Sequence, residues 1–481
     1  MSTATQKKGG QQLRPFGMLD KVAYAAGDFG CNMSFCLAGT FFTLFYTQYM
    51  KIDSLAFAGI LVLLKIWDAI NDPMIGGFID ASKKEYKRGK FKTFISVGSV
   101  GLLVASALCF LPFPNAPQII KVILCLFGYI CWDACYTIVN VPYGSMVNVI
   151  SPEPSDRAQL SAWRNLGAMC ASIPVNLVLP MVLYDENQNI MGQRLIVAAL
   201  VLGIIGFVAF RFMLANTVER VQISKEERAK QKFNYFVSIK NFAKNRPAIG
   251  ATMIPVGMFL GSYGTSTAVA VMFQSYFKNA QISGVSTVLN MLPTILFVPF
   301  IGKIVDRWGK KEAGQVGLLF SIAATILMIV VPYPANGTGI FLFYLLSLCN
   351  GLGAGIATCT VYAMVADAID YNEWKNGLRE EGTTYALHSF FRKMAQGIGP
   401  SIGLVLMVAI GYDEALGAAQ PIEVATKMKT LIGCIFLGAA VLQMVGLRFV
   451  YNLDRKTLME MERDLGRSME GKNLVGKQME D

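Results

Sequence analysis

The stretch GKIVDRWGKK, Gly302–Lys311, decides how this chain is organised. Directly after an apolar run it sets a glycine, three residues, an aspartate, a base, one residue, a second glycine and two bases. A related order begins at Gly76, with Asp80 four positions on and a longer basic loop leading to Gly89 and Lys90. Each copy follows the second apolar segment of its half of the chain. Matched placement of this kind marks an internal parallel repeat.

Working outward from these loops, apolar segments of spanning length, ~20 residues, fall near 20–49, 55–80, 93–112, 117–141, 160–183, 194–214, 248–277, 283–305, 314–333, 338–366, 383–411 and 426–450. Twelve spans result. A polar stretch with Lys225, Arg228, Lys230, Lys232, Lys240 and Lys244 separates the sixth from the seventh. The expected division is a tail over 1–19, a six-helix bundle over 20–215, a central loop over 216–247, a second six-helix bundle over 248–451, and a tail over 452–481. The first tail is basic, with no cleavage site after a short apolar core, so it is not expected to be a signal peptide. The last is charged and nearly balanced, which predicts a solvated helix.

Of 481 residues, 54% are hydrophobic and 16% charged, whereas soluble domains carry roughly a quarter charged. A polytopic membrane protein follows. The net charge of +11 lies largely in inter-helix loops, at Lys83, Lys84, Lys87, Arg88, Lys90 and Lys92, and again at Lys303, Arg307, Lys310 and Lys311. The turn YDENQN and the turn at Asp413 and Glu414 are acidic. This is a positive-inside pattern rather than a nucleic-acid surface, and it puts both termini on the cytoplasmic side of a plasma membrane. The ten cysteines nearly all fall in apolar stretches and read as packing thiols. His388, the single histidine, has no Cys or His neighbour with which to share zinc. No Walker loop and no nucleophile–base pair is discernible, so neither an enzyme nor a cofactor is expected.

An ionisable group inside a span costs roughly 2.5–3.5 kcal/mol on insertion scales and normally faces protein or a cavity. Here several cluster: Asp28 in YAAGDFG; Lys65, Asp68 and Asp72 in KIWDAINDP; Asp133 in YICWDACYTIVNVPYGS; Arg164; and His388, Arg392 and Lys393 in YALHSFFRKMAQGIGP. Asp68, Asn71 and Asp72 share a helix face at i, i+3 and i+4. Converging carboxylates call for a proton or a hard cation such as Na⁺. Asp133, Tyr136, Thr137 and Asn140 form a matching stripe. The competing reading of the first face is a Lys65–Asp68 salt bridge holding spans together, but one lysine cannot neutralise two acids.

The loop pattern resembles the signature of the major facilitator superfamily. WDAINDP, GDFG, YTIVNVPYGS and DYNEWKNG resemble, within it, the glycoside–pentoside–hexuronide:cation symporters, the branch that includes the melibiose permease. The resemblance covers most of the chain. It implies an all-α fold of twelve transmembrane helices in two six-helix bundles, with substrate at the midplane between them. It further implies a Na⁺ site at Asp68, Asn71, Asp72 and Thr137, and a sugar site at Asp28, Tyr136, Asn140 and Arg164 with Lys393 near both. The chain departs from the melibiose pattern by an amide, Asn140, where that protein has an acid, and by Gly144 where it has tryptophan. Asp133 is an extra acid whose role the resemblance does not supply.

The remaining residues keep more than one reading each. His388 is a sugar or proton contact, or a packing histidine. Arg392 reads an anionic substrate, or pairs with Asp133, or caps a helix. Glu373 and Trp374 fit gate or loop contacts. The expected function is cation-coupled import of a glycoside or oligosaccharide, with Na⁺ favoured over H⁺. The alternatives are a proton-coupled glucuronide transporter and a carrier of a non-sugar substrate such as a lysolipid.

Overall fold

The computed structural model describes residues 7–8, 11–12, 14–81, 89–151, 153–220, 242–297, 300–377 and 381–465. An antiparallel pair of two-residue strands (β1 Lys7–Lys8, β2 Gln11–Gln12) precedes an all-helical body. The chain forms two compact units. Unit 1 holds Met1–Gln231 with Lys278–Gly284 and Asp413–Gln420; unit 2 holds Lys232–Phe277, Val285–Tyr412 and Pro421–Asp481.

Unit 1 contains α1 (Met18–Leu44, prolonged through Phe45–Tyr49), α2 (Ser54–Ala81), α3 (Lys90–Leu108), α4 (Gln118–Ile150), α5 (Pro154–Ile173, prolonged to Leu183) and α6 (Gly192–Asn216). Unit 2 contains α7 (Arg246–Ser275), α8 (Val285–Phe297), α9 (Ile301–Trp308), α10 (Lys310–Val330), α11 (Gly337–Asn376), α12 (Glu381–Ala409), α13 (Ile422–Val445, prolonged to Val450) and α14 (Arg455–Asp464). Among the described residues eleven helices are long and apolar enough to cross a membrane. The twelfth, α12, has the length but carries His388, Arg392 and Lys393.

The two units repeat one packing scheme. In unit 1, α1 packs on α5 and α6, α3 on α4 and α6, and α2 on α4. In unit 2, α7 packs on α12 and α13, α10 on α11 and α13, and α8 on α11. Close approach is bought with glycine at equivalent crossings. A Cβ on Gly167 would lie 2.1 Å from the Ala25 carbonyl oxygen, and one on Gly403 would lie 2.0 Å from that of Gly264.

The repeated loop now has a structural meaning. Gly89 and Gly309 both adopt φ +90°, ψ near +150°, a conformation L side chains rarely take, and each launches the next helix. A lysine just beyond then neutralises carbonyls at the end of the last helix of its unit. The Lys92 Nζ donates to the carbonyls of Leu214 and Thr217 at 3.1 and 2.5 Å, and the Lys311 Nζ to that of Tyr451 at 2.7 Å. The bases Lys83, Lys84, Lys87 and Arg88, and most of the central basic stretch, lie outside the described residues.

Four expectations change. The eighth span is two helices, α8 and α9, with Pro293 inside the first. The tenth does not stop near 366. It runs 40 residues, about 60 Å at 1.5 Å per residue, and ends where Gly377 turns left-handed at φ +64°. The solvated tail helix is instead docked. Leu453 and Met461 are buried at 0% and 1% exposure, Leu458 packs on the same core cluster, and the Trp374 Nε1 donates to Asp464 Oδ2 at 3.0 Å. The cysteines are all free, yet only Cys31, Cys109 and Cys125 are buried; Cys170 and Cys434 are exposed. An apolar stretch in a bilayer has an outward face, so apolar surroundings in sequence do not imply burial.

Candidate substrate and cation site

The α2 face and the α4 stripe meet inside unit 1. The Asn71 Nδ2 donates to Asp133 Oδ2 at 2.7 Å and to Thr137 Oγ1 at 3.4 Å, and the Thr137 hydroxyl donates to Asp72 Oδ1 at 2.8 Å. Asn71, Asp133 and Thr137 are buried. One amide and one hydroxyl therefore bridge two carboxylates, Asp133 and Asp72.

Asp68 has a different partner. The Lys65 Nζ lies 2.6 Å from Asp68 Oδ2, forming the salt bridge weighed as the competing reading. The same ammonium bonds the Tyr129 hydroxyl at 2.5 Å, and that hydroxyl donates to Asp68 Oδ2 at 3.1 Å. The salt bridge is therefore present beside the oxygen cluster. Lys65 serves Asp68, while the Thr137 hydroxyl serves Asp72 and the Asn71 amide serves Asp133. The other Asp68 oxygen, Oδ1, is buried without a hydrogen-bond partner among the described residues. Hard oxygens with a net negative charge and a spare acceptor suit a small monovalent cation.

A second cluster lies on α1, α4 and α5. The Arg164 Nε pairs with the buried Asp28 Oδ1 at 2.9 Å, and the Asn32 Nδ2 donates to Asp28 Oδ2 at 3.1 Å. The guanidinium sits 5.1 Å from the centre of the Tyr143 ring, which stacks on Tyr24 at 4.7 Å. Asp28 and Arg164, read from sequence as separate ligands, are held as a pair. Tyr136 turns from the α2 side toward α1, stacking with Phe35 and Trp132 at 5.5 Å each. The Asn140 Oδ1 is buried without a partner among the described residues. A Cβ added at Gly144 would meet only Arg164 Nη1, at 3.8 Å.

The span-eleven residues belong to unit 2. His388 is 2% exposed and its Nδ1 is 3.0 Å from the Thr252 hydroxyl, as a packing histidine would be. The Arg392 guanidinium stands 5.8 Å from the Phe259 ring, and Lys393 is exposed. Trp374 contacts the tail helix, with the Lys375 ammonium 3.8 Å from its ring centre.

Sequence reasoning missed Tyr129 and Asn32. Both had a signal. Tyr129 continues the α4 stripe one turn before Asp133, and Asn32 is four residues after Asp28 on the same face.

Two repeated six-helix packings with buried acids and bases inside the spans define a membrane transporter of the major facilitator fold, not an enzyme. The chain belongs to the family described as MFS/sugar transport protein, whose model matches residues 23–455. It is 27% identical over 443 residues to the glucuronide carrier protein homolog of Escherichia coli (strain K12), covering 90% of this chain and 93% of that one. It is 28% identical over 403 residues to the isoprimeverose transporter of Lactiplantibacillus pentosus, covering 82% and 80%. The crystal structure of a D-xylose-proton symporter matches with TM-score 0.60 at 14% identity, over 90% of this chain and 97% of that one.

Proposed function

We propose that this chain is a cation-coupled symporter that imports a glycoside by alternating access across the plasma membrane, with both termini cytoplasmic and Na⁺ the coupling ion. The oxygen cluster of Asp68, Asn71, Asp72 and Thr137 carries this reading. Its hard oxygen acceptors, with Asp68 Oδ1 lacking a hydrogen bond among the described residues, suit a small cation, and a cation there draws α2 and α4 together. If that ordering favours the sugar-binding arrangement, linkage makes the effect mutual: sugar tightens the cation by the same factor. Asp28 and Arg164, with Asn140 and Tyr136, are the sugar ligands, since carboxylates accept hydroxyl hydrogen bonds and a guanidinium fixes their orientation.

A second reading, proton-coupled transport of an acidic sugar, is favoured by Asn140 and Gly144. An amide tolerates a sugar carboxylate that an aspartate would repel, and the open position at Gly144 adjoins the Arg164 guanidinium. The relative named as a glucuronide carrier is consistent with it. Counterflow in proteoliposomes against glucuronides, neutral xylosides and galactosides, with and without Na⁺ and across a pH series, separates the two. Sodium-stimulated exchange supports the first reading. Exchange that follows pH alone, and favours glucuronides, replaces it with the second.

A further inference from the structure

Arg211 is a charged residue inside a span that neither cluster uses. It lies on α6 five residues before the helix ends at Asn216, about 8 Å from that end at 1.5 Å per residue. It faces α3, where Ser96 sits six residues after the helix begins at Lys90. The Arg211 Nη1 donates to Ser96 Oγ at 2.8 Å, and Nη2 to the Ser96 carbonyl at 2.7 Å and to Ser99 Oγ at 3.1 Å. The guanidinium also covers the Phe207 ring at 4.6 Å. These bonds tie α3 to α6, but every partner is neutral. No carboxylate pairs with Arg211 among the described residues.

The same side chain lines a groove of about 690 Å³, with Ser96, Val97, Val100, Gly101 and Phe207 as the other walls. Val97 and Val100 are 67% and 50% exposed, so this is the outer, lipid-facing side of the α3–α6 pair. An uncompensated cation one and a half turns inside a helix end, beside an apolar trough, has the chemistry of a phospholipid: an anionic head and an acyl chain.

We propose that the α3–α6 groove binds one anionic phospholipid, its phosphodiester on the Arg211 guanidinium and an acyl chain along Val97 and Val100. The site lies toward the end of unit 1 where α3 begins at Lys90 and α6 ends at Asn216. A brace alone explains the serine bonds but not the charge, because a neutral amide donor would serve it as well.

Native mass spectrometry of the full chain, titrated with phosphatidylglycerol or phosphatidylcholine, tests this. Wild type is expected to retain one phosphatidylglycerol at least tenfold more tightly than phosphatidylcholine. Arg211→Gln keeps amide donors toward α3 and should lose that preference. Val97→Trp fills the groove without touching the guanidinium and should lose the bound lipid while remaining folded. Equal retention of phosphatidylglycerol by wild type and both variants overturns the site. Equal retention of both lipids by wild type overturns its anionic character. Displacement of the lipid by millimolar inorganic phosphate alone would make this a free-anion site and overturn the lipid assignment.

Discussion

At the scale of single residues, the cluster between α2 and α4 ranks its members. Asp72 takes the Thr137 hydroxyl from α4, whereas Asp68 takes Lys65 from its own helix. Asp72→Asn is expected to abolish cation-stimulated binding and leave some sugar binding, because the proposed sugar ligands lie on other helices. Retention of cation-stimulated, concentrative uptake would rule this assignment out. Asp28 belongs to the other cluster, and charge-assisted hydrogen bonds contribute ~1.5–3 kcal/mol. Asp28→Ala should weaken sugar binding about ten- to a hundredfold, by that same increment, with cation binding intact. Unchanged affinity in a direct binding assay excludes it as a ligand. Asn140→Asp should select against anionic glycosides and spare neutral ones, read from competition of glucuronides against xylosides. Identical rankings in both proteins would remove Asn140 from charge selection.

At the scale of elements, helix crossings and caps carry the load. Gly167→Val puts side-chain atoms where a Cβ is already 2.1 Å from a backbone oxygen of α1. Overpacking of this kind costs ~1–3 kcal/mol, so thermal unfolding should occur at lower temperature, while Gly59→Ala, with nothing within 4 Å of the added Cβ, should not lower it. The tail helix offers a pH test. The Thr457 side chain and backbone, hydrogen-bonded to Asp454 at the start of α14, hold that carboxyl below its usual value. A depressed folded-state pKa contributes stability that is complete above the unfolded value, about 3.9, and is lost as pH falls through the folded value. Once corrected for intrinsic rates, hydrogen exchange over 455–464 should stay constant from neutral pH to about 4 and rise below it. A rise already at pH 6 would point to another group. Docking of this helix was hard to foresee from a charged sequence. Its buried apolar contacts are few, and the cluster that Leu458 packs against draws residues from α7, α10 and α11, the last some ninety positions away, as Trp374 is from Asp464. The start of α9 at Ile301 was hidden for a related reason, since hydropathy registers what lipid tolerates and not where a helix begins.

At the scale of the whole molecule, the spans and the internal repeat were legible because both are local. Length and apolarity mark a span, and the glycine of each repeated loop marks a backbone conformation that few other residues take. The pairing within the site was only half legible. Helical spacing put Asp68, Asn71 and Asp72 on one face, and Asp133 and Thr137 on another, but which acid Lys65 would serve depends on Tyr129 from α4. Likewise Asp28 and Arg164 were visible as charges and not as a pair, being 136 positions apart in sequence.

Those two clusters together make one claim, that a cation at Asp72 and its neighbours governs a sugar at Asp28 and Arg164. Uptake into proteoliposomes, with a Na⁺ gradient imposed in one set and a pH gradient in another, tests it most directly in wild type and Asp72→Asn. The substrate is whichever glycoside exchanges fastest in counterflow. Accumulation driven by the Na⁺ gradient in wild type, and lost in Asp72→Asn while counterflow binding persists, is the expected result. Accumulation that ignores the Na⁺ gradient in wild type, or survives it unchanged in Asp72→Asn, would contradict the claim.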